Sequence, residues 1–318
     1  MRRPAPADKR PLRRPRMDAH EALPPGSLGA RAFAKVNLHL EVLRHRPDGY
    51  HEVETVLQSV GLYDTLHFVR RPRGLALLCD APGVPTDTSN LCLKAARALL
   101  EAAALSEPPC GLRIDLYKSI PVAAGFGGGS ADAAATLVAL NEFWQLRLPE
   151  ESLLGLASRL GSDVAFCLRG GTALGYGRGE RLEPLPPLRK TVFLLVFTGL
   201  AIDSRWAYEN LRMGLTQRSH ALNIDQLKSI LARYPGAASG FRNRLEDAVC
   251  PARPIVAEIT SRLLELGAPV AMMSGSGSGV FAAFSSRRAA EEARRRLRRA
   301  DWRMPVVESV PKGVELFA

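Results

Sequence analysis

Apolar and polar residues alternate across residues 32–43, where Val36, Leu38, Leu40 and Val42 are separated by Asn37, His39 and Glu41. A period of two marks a half-buried strand and sets Lys35, Asn37, His39 and Glu41 on one polar face. The same pattern predicts strands over residues 62–69, 75–78 and 111–120. Helical spacing takes over at residues 91–104, in the Ala- and Leu-rich run after Ser130, and at 150–160, where Gly161 is a natural stop. Residues 170–179 hold five glycines in a turn-rich strand region, and the Pro-rich stretch 183–187 is the expected domain boundary. Beyond it the pattern predicts a buried strand at 191–197 and helices at 204–213, 225–231, 245–249 and 255–266. A strand, a loop of three Ser-Gly pairs and another strand then fill 271–284.

The strand at 111–120 runs directly into the most distinctive stretch of the chain, residues 121–144. Gly125, Gly127, Gly128 and Gly129 fall within five positions, and a helix begins after Ser130. Backbone N–H groups of such a loop, with the positive end of the helix behind them, suit a phosphate. The spacing is neither the Walker loop nor the dinucleotide fingerprint. A flexible turn before a core helix is the plainer reading of the same residues. Other candidates carry similar alternatives. Lys35 and Asn37 could meet a phosphate or a substrate hydroxyl, or lie on a solvated strand face. Tyr50 and His51 follow the turn Pro47-Asp48-Gly49 and could stack on a planar base, or pack the hairpin. Asp163, just past a helix end, reads first as a cap. The Ser-Gly loop is longer than a two-residue hairpin needs, which suggests close approach to a ligand or to the first glycine loop.

Composition narrows the classes. With 318 residues, 46% hydrophobic and 24% charged, the chain has the balance of a soluble globular protein and the length of two domains, or of one large one with an elaborated loop set. Its longest apolar run is far below the roughly 20 residues of a membrane helix. Five scattered cysteines with no CxxC spacing argue against a zinc site and a disulfide framework, and point to the cytoplasm. The net charge of +11 suggests an anionic partner. Seven basic residues crowd positions 2–16, a Pro- and Arg-rich tail expected to be disordered, and Met17, which follows them, is an alternative start. A second basic group, 287–303, reads as a solvated amphipathic helix. Neither shows the interleaved aromatics of a single-strand binder, and a nucleotide or phosphorylated substrate explains the charge as well as a nucleic acid would; the sequence as a whole points to the small molecule, with no nucleic acid and no membrane expected.

Three segments in this order, AKVNL, PVAAGFGGGSADAA and SGSGSGVF, resemble the three motifs of the GHMP kinase superfamily. Within it, PDGYHEVETVLQSVGLYDTL, DTSNL, GSDVAF and FRNRLEDAV are similar to the branch whose acceptor is a cytidine-diphospho-methylerythritol. The resemblance covers the chain from about Ala32 onward. It implies an α/β (α+β, two-domain) GHMP kinase fold, with an S5-domain-2-like N-terminal domain and a ferredoxin-like C-terminal one. The domains would be a basic tail at 1–28, an ATP-binding domain at 29–187, and 188–318 completing the substrate cleft.

The activity implied is transfer of the ATP γ-phosphoryl group to the acceptor's 2-hydroxyl, with ATP and Mg2+ required. Asp163 and Lys35 match the family's catalytic pair, and Asn37 its contact to the substrate hydroxyl. Tyr50, His51 and Tyr208 match the residues that hold cytosine. Asn90 and Lys118 fall where the family borders adenine. Pro121, Ala123, Gly125, Phe126, Gly127, Gly128, Gly129 and Ser130 form the phosphate loop, and Ser274, Gly275, Ser276 and Gly277 the third motif. Ala124 and Ala131 stand where the family commonly has Gly and Ser, and the hydroxyl absent at Ala131 leaves the metal ligands unassigned; the oligomeric state is not set by the sequence. The competing class is a nucleotide- or RNA-binding module without catalysis, which would need no paired acid and base.

Overall fold

A computed structural model describes residues 23–212, 224–236, 238 and 240–318. Residues 1–22, including Met17, lie outside it, as does Met213. The first sheet is built on two long antiparallel strands, β1 (Leu28–His45) and β2 (His51–Arg71). β3 (Leu75–Cys79) and β4 (Gly111–Tyr117) extend it from β2, pairing with each other in parallel. On the other end of β2 lie β5 (Thr172–Tyr176) and β6 (Arg181–Pro184). Four helices are interspersed with these strands: α1 (Leu91–Ala102), α2 (Gly128–Phe143), α3 (Glu150–Leu160) and α4 (Val164–Arg169).

The strand pattern was readable only in the second half of β2. Residues 53–60 (Val-Glu-Thr-Val-Leu-Gln-Ser-Val) are buried on both faces, so the apolar-polar alternation of a half-solvated strand is missing there. α2 is likewise buried nearly all round, from Ala131 to Leu140. Its run of alanines lets it pack closely against α1, α4 and β1.

The second sheet has the antiparallel order β10-β7-β9-β8, with β7 (Val192–Val196), β8 (Val270–Met273), β9 (Val280–Phe284) and β10 (Val306–Glu308). Its helices are α5 (Ser204–Glu209), α6 (Ile224–Arg233), α7 (Glu246–Ala252), α8 (Pro254–Glu265) and α9 (Arg287–Leu297). α9 ends six residues before the basic run does; Arg303 instead bridges Phe197 at the edge of β7. The last strand, β11 (Val314–Phe317), returns to pair with β1. Leu28, expected in the tail, already belongs to β1.

Two cores result. The larger lies between the first sheet and its helices, and the smaller gathers Leu194, Val249, Met273 and Phe284 together with Leu40, Val42 and Val53. The ends of β1 and β2 next to their hairpin turn thus belong to the second core, so β1 passes from one hydrophobic unit into the other. Among the described residues no helix is long and apolar enough to cross a membrane.

Candidate active site

The cleft lies where β1 crosses between the cores. It has a volume of about 1590 Å³. A β-bulge between Asn37 and His39 breaks the expected alternation, so Lys35 and Asn37 line the cleft together with Leu40 while His39 and Glu41 do not, and none of the four polar residues is solvated: they are 3, 3, 4 and 9% exposed. The glycine loop and the third motif cover Lys35. Lys35 N donates to Phe126 O at 3.0 Å, and a Cβ on Gly127 or Gly275 would sit 2.9 Å from Lys35 Cγ or 3.2 Å from its Nζ. A side chain at Gly127 would displace the lysine, and one at Gly275 would press on its ammonium.

Lys35 Nζ is 2.7 Å from Asn37 Oδ1 and 3.1 Å from Asp163 Oδ2. Asn37 is in turn held by Nδ2 on Thr55 Oγ1 at 2.9 Å, and Thr55 donates to His39 O at 2.7 Å. Asp163 precedes α4 with φ −84° and ψ −12° and makes no capping bond. The capping reading fails because its carboxylate turns to Lys35, with a third of the side chain still open to the cleft. A buried cation thus faces a half-open carboxylate, the kind of pair that can orient a hydroxyl.

The glycine loop turns through left-handed backbone at Ala123, Gly125 and Gly127 and opens directly into α2. The third motif braces it from behind. Ser274 Oγ donates to Gly125 O at 2.9 Å and Gly279 N to Ala124 O at 3.1 Å. Gly275 and Ser276 line the cleft, whereas Ser274 is fully buried and Gly277 lies outside the lining. Phe126, expected at the phosphates, puts its ring in the core, 1% exposed. Pro121, Ala123, Gly125, Gly127, Gly128, Gly129 and Ser130 do line the cleft.

Lys118 borders it too, but its ammonium is committed. It contacts Asp132 at 2.6 Å and also Asp64, all three side chains being nearly inaccessible. Burial alone would lower the lysine's pKa, yet Asp132 and Asp64 outweigh it and raise it. Burial pushes the Asp132 carboxyl well above the usual range, although Lys118 opposes the shift. Asp64 also accepts the N–H groups of Ser119 and Ile120 at 2.6 and 2.8 Å. The triad therefore ties the entry of the glycine loop to the first turn of α2. Asn90 caps α1 through Cys92 N and donates to Pro85 O, so both ends of its amide are engaged.

At the other end of the cleft, His51 stacks on Tyr208 with ring centroids 5.2 Å apart and planes at 28°. His45 meets His51 edge-on at 4.9 Å. Burial, and after it His45, lowers the His51 pKa, favouring a neutral ring with one donor and one acceptor. Tyr50 is 53% exposed, with the Arg178 guanidinium 4.8 Å from its ring centroid. A planar ligand has room against the open faces of these rings, not between His51 and Tyr208.

Sequence reasoning missed Asp132, Thr55 and Arg178 at this site. Asp132 sits inside an alanine run that reads as core helix, and Thr55 in the stretch of β2 without alternation. Ala131 is fully buried and presents nothing to the cleft. Oxygen donors lining the cleft near the loop are Ser130, Asp132, Ser162 and Asp163, of which Asp132 is paired with Lys118; no group of three His, Cys, Asp or Glu able to hold a metal exists among the described residues.

Comparison with known proteins matches residues 90–171 to the GHMP kinases N terminal domain and 226–302 to the GHMP kinases C terminal. The chain is 44% identical over 297 residues to the 4-diphosphocytidyl-2-C-methyl-D-erythritol kinase of Synechococcus sp. (strain JA-2-3B'a(2-13)), covering 90% of this chain and 94% of the relative. Identity to the kinase of the same name from Pelobacter propionicus is 41% over 272 residues, 85% of this chain and 94% of that one. A crystal structure of 4-(cytidine 5'-diphospho)-2C-methyl-D-erythritol kinase is similar with a TM-score of 0.74 at 35% identity, over 88% of this chain and 98% of that one. Homoserine kinase from Cytophaga hutchinsonii shares the fold, with a TM-score of 0.73 at 20% identity over 92% and 98% of the two chains.

Proposed function

Because the chain belongs to the 4-diphosphocytidyl-2-C-methyl-D-erythritol kinases, a family of GHMP kinases, we infer that it phosphorylates the 2-hydroxyl of 4-(cytidine 5'-diphospho)-2-C-methyl-D-erythritol. ATP is the phosphoryl donor, and the products are the 2-phosphate and ADP, in isoprenoid precursor biosynthesis. The observation that carries the reading at residue level is the Lys35–Asp163 pair, 3.1 Å apart between the glycine loop and the Tyr50, His51 and Tyr208 rings.

In this reading the glycine loop from Gly125 to Ser130 receives the ATP phosphates on backbone N–H groups at the N-terminus of α2. The acceptor's cytosine lies against the aromatic group, with neutral His51 reading its polar edge. That places the 2-hydroxyl at Asp163. Its oxygen attacks the γ-phosphorus, the bond from that phosphorus to the β,γ-bridging oxygen breaks, ADP leaves, and the hydroxyl proton passes to the Asp163 carboxylate. Lys35 orients the carboxylate by its ion pair, while Asn37, fixed by Thr55, fixes Lys35. Phosphoryl transfer needs little more than such positioning and charge stabilisation.

Ser130 and Asp163 are oxygen donors suited to a magnesium ion that keeps most of its ligands from phosphate and water. Such an ion would neutralise charge on the transferring group. Five unpaired cysteines support a cytoplasmic setting. The domain division proposed is at 187, with β11 rejoining the first sheet.

A coupled ADP-release assay tests the function, comparing the cytidine-diphospho substrate with homoserine, mevalonate and galactose. Turnover is expected with the first alone; its absence there would sink the assignment.

A further inference from the structure

The segment FRNRLEDAV carried resemblance in the sequence but no role in the chemistry above. In the fold it is a clip between the two cores. Its backbone lies beside β1 at Leu40: Leu40 N donates to Arg242 O at 2.8 Å and Arg244 N to Leu40 O at 2.7 Å. His39, turned by the bulge after Asn37 away from the face that bears Lys35 and Asn37, accepts from Arg242 N at 3.2 Å, and Glu41 pairs with Arg242. From this position the Asn243 side chain, 2% exposed, reaches the other way. Its Nδ2 donates to Met273 O at 2.9 Å and to Gly275 O at 2.7 Å, and its Oδ1 accepts from Leu245 N at 3.0 Å.

Gly275 is the residue that closes over the catalytic pair. A Cβ built on it would stand 3.2 Å from Lys35 Nζ, 3.4 Å from Asn37 Oδ1 and 3.2 Å from Gly125 O. One buried amide thus ties, by its two N–H donors, the end of β8 at Met273 to the Gly275 carbonyl over Lys35, while its own backbone is anchored to the strand that bears Lys35. Three of the four polar sites of that side chain are engaged, by the backbone of Met273, Gly275 and Leu245.

We propose that Asn243 is a positioning residue for the phosphoryl transfer: it fixes the third-motif loop over Lys35 and so sets the geometry of the Lys35–Asp163 pair. The proposal rests on the catalytic reading of that pair, but the placement of Lys35 can be read without turnover. Asn243→Asp keeps the shape and replaces the donating nitrogen by an oxygen facing two carbonyls, which repels the loop. Gly275→Ala disturbs the same contact from the other side.

The experiment labels the full-length protein with an amine-specific reagent and follows Lys35 and Lys118 by mass spectrometry. Both are buried, with side chains 4 and 6% exposed. In either variant Lys35 is expected to label about tenfold or more faster while Lys118 keeps its wild-type rate. In the ADP-release assay kcat is expected to fall roughly ten- to a hundredfold, as an ångström of misplacement does, with KM for both substrates within a few-fold. Val249→Ala, a cavity in the adjacent core, should lower stability and leave both readouts unchanged. Unchanged Lys35 labelling in Asn243→Asp, or in Gly275→Ala should the first variant not fold, overturns the proposal. So does a parallel rise at Lys118, which would mean general loosening. Failure of the wild type to turn over the cytidine substrate would overturn the assigned function and leave the labelling result standing.

Discussion

The two small-residue loops touch at Gly125, and Gly125→Ala measures what that contact is worth. Gly125 has φ +78°, and a Cβ there would lie 2.0 Å from Ser274 O, where an ordinary contact is 3.4 Å or more. Backbone, not a flexible side-chain end, is in the way. A non-glycine residue in left-handed backbone costs about 1–2 kcal/mol. Separating the loops also threatens the Ser274 Oγ and Gly279 N bonds to Gly125 O and Ala124 O, each worth about 0.5–1.5 kcal/mol. The expected loss is therefore about 2–5 kcal/mol in denaturant unfolding, together with a rise of about tenfold in KM for ATP as the cradle shifts. Gly74→Ala is the control: φ is +70° and nothing lies within 4 Å of the added carbon, so only the backbone cost of about 1–2 kcal/mol applies. If the two variants lose equal stability and Gly125→Ala binds ATP normally, the loops do not support one another and the reasoning is wrong.

Asp163→Asn should lower kcat by about a hundredfold or more while ATP binding, measured by titration calorimetry, stays near wild type; full activity would remove Asp163 from the mechanism. Lys118→Met strands two buried carboxylates and should cost about 3–5 kcal/mol of unfolding free energy, part of which returns on adding Asp132→Asn. No recovery in the double variant would mean the triad's charge balance is not what Lys118 supplies. Burial lowers the His39 pKa to about 4, below the ordinary 6.5, so as pH falls the unfolded chain takes up this proton first. The neutral ring's contribution is complete above about pH 6.5 and is lost toward pH 4, amounting to roughly 2 kcal/mol by pH 5. His39→Phe should flatten the fall in unfolding free energy between pH 7 and 5 by that amount, and an unchanged slope would show that His39 does not carry it.

The glycine loop, the helix after it, and the alternating strand with Lys35 and Asn37 could be read from residue order because each is a local pattern. Backbone freedom at glycine, the period of two and the period of 3.6 need no distant partner. Asp132 could not be found that way: in an alanine helix nothing local says that a carboxylate faces Lys118. Phe126 misled because its neighbours in sequence form the cradle while its own side chain turns into the core. β2 hid its first half since burial on two faces erases the alternation that betrays a strand.

Sequence alone thus determined the motifs, their order and the family they identify, and with the family the chemistry. Only the tertiary structure decided that Lys35 and Asn37 floor a buried cleft and that a bulge turns His39 and Glu41 away from it, none of the four being solvated. It also decided that Lys118 is spent on Asp64 and Asp132, and that Asn243 spans from β1 to Gly275. The reason is physical: these pairings join residues 14 to 54 positions apart around Lys118 and 32 apart at Asn243. Their worth depends on exclusion of water, and burial is a property of the packed cores that no short stretch of residues possesses.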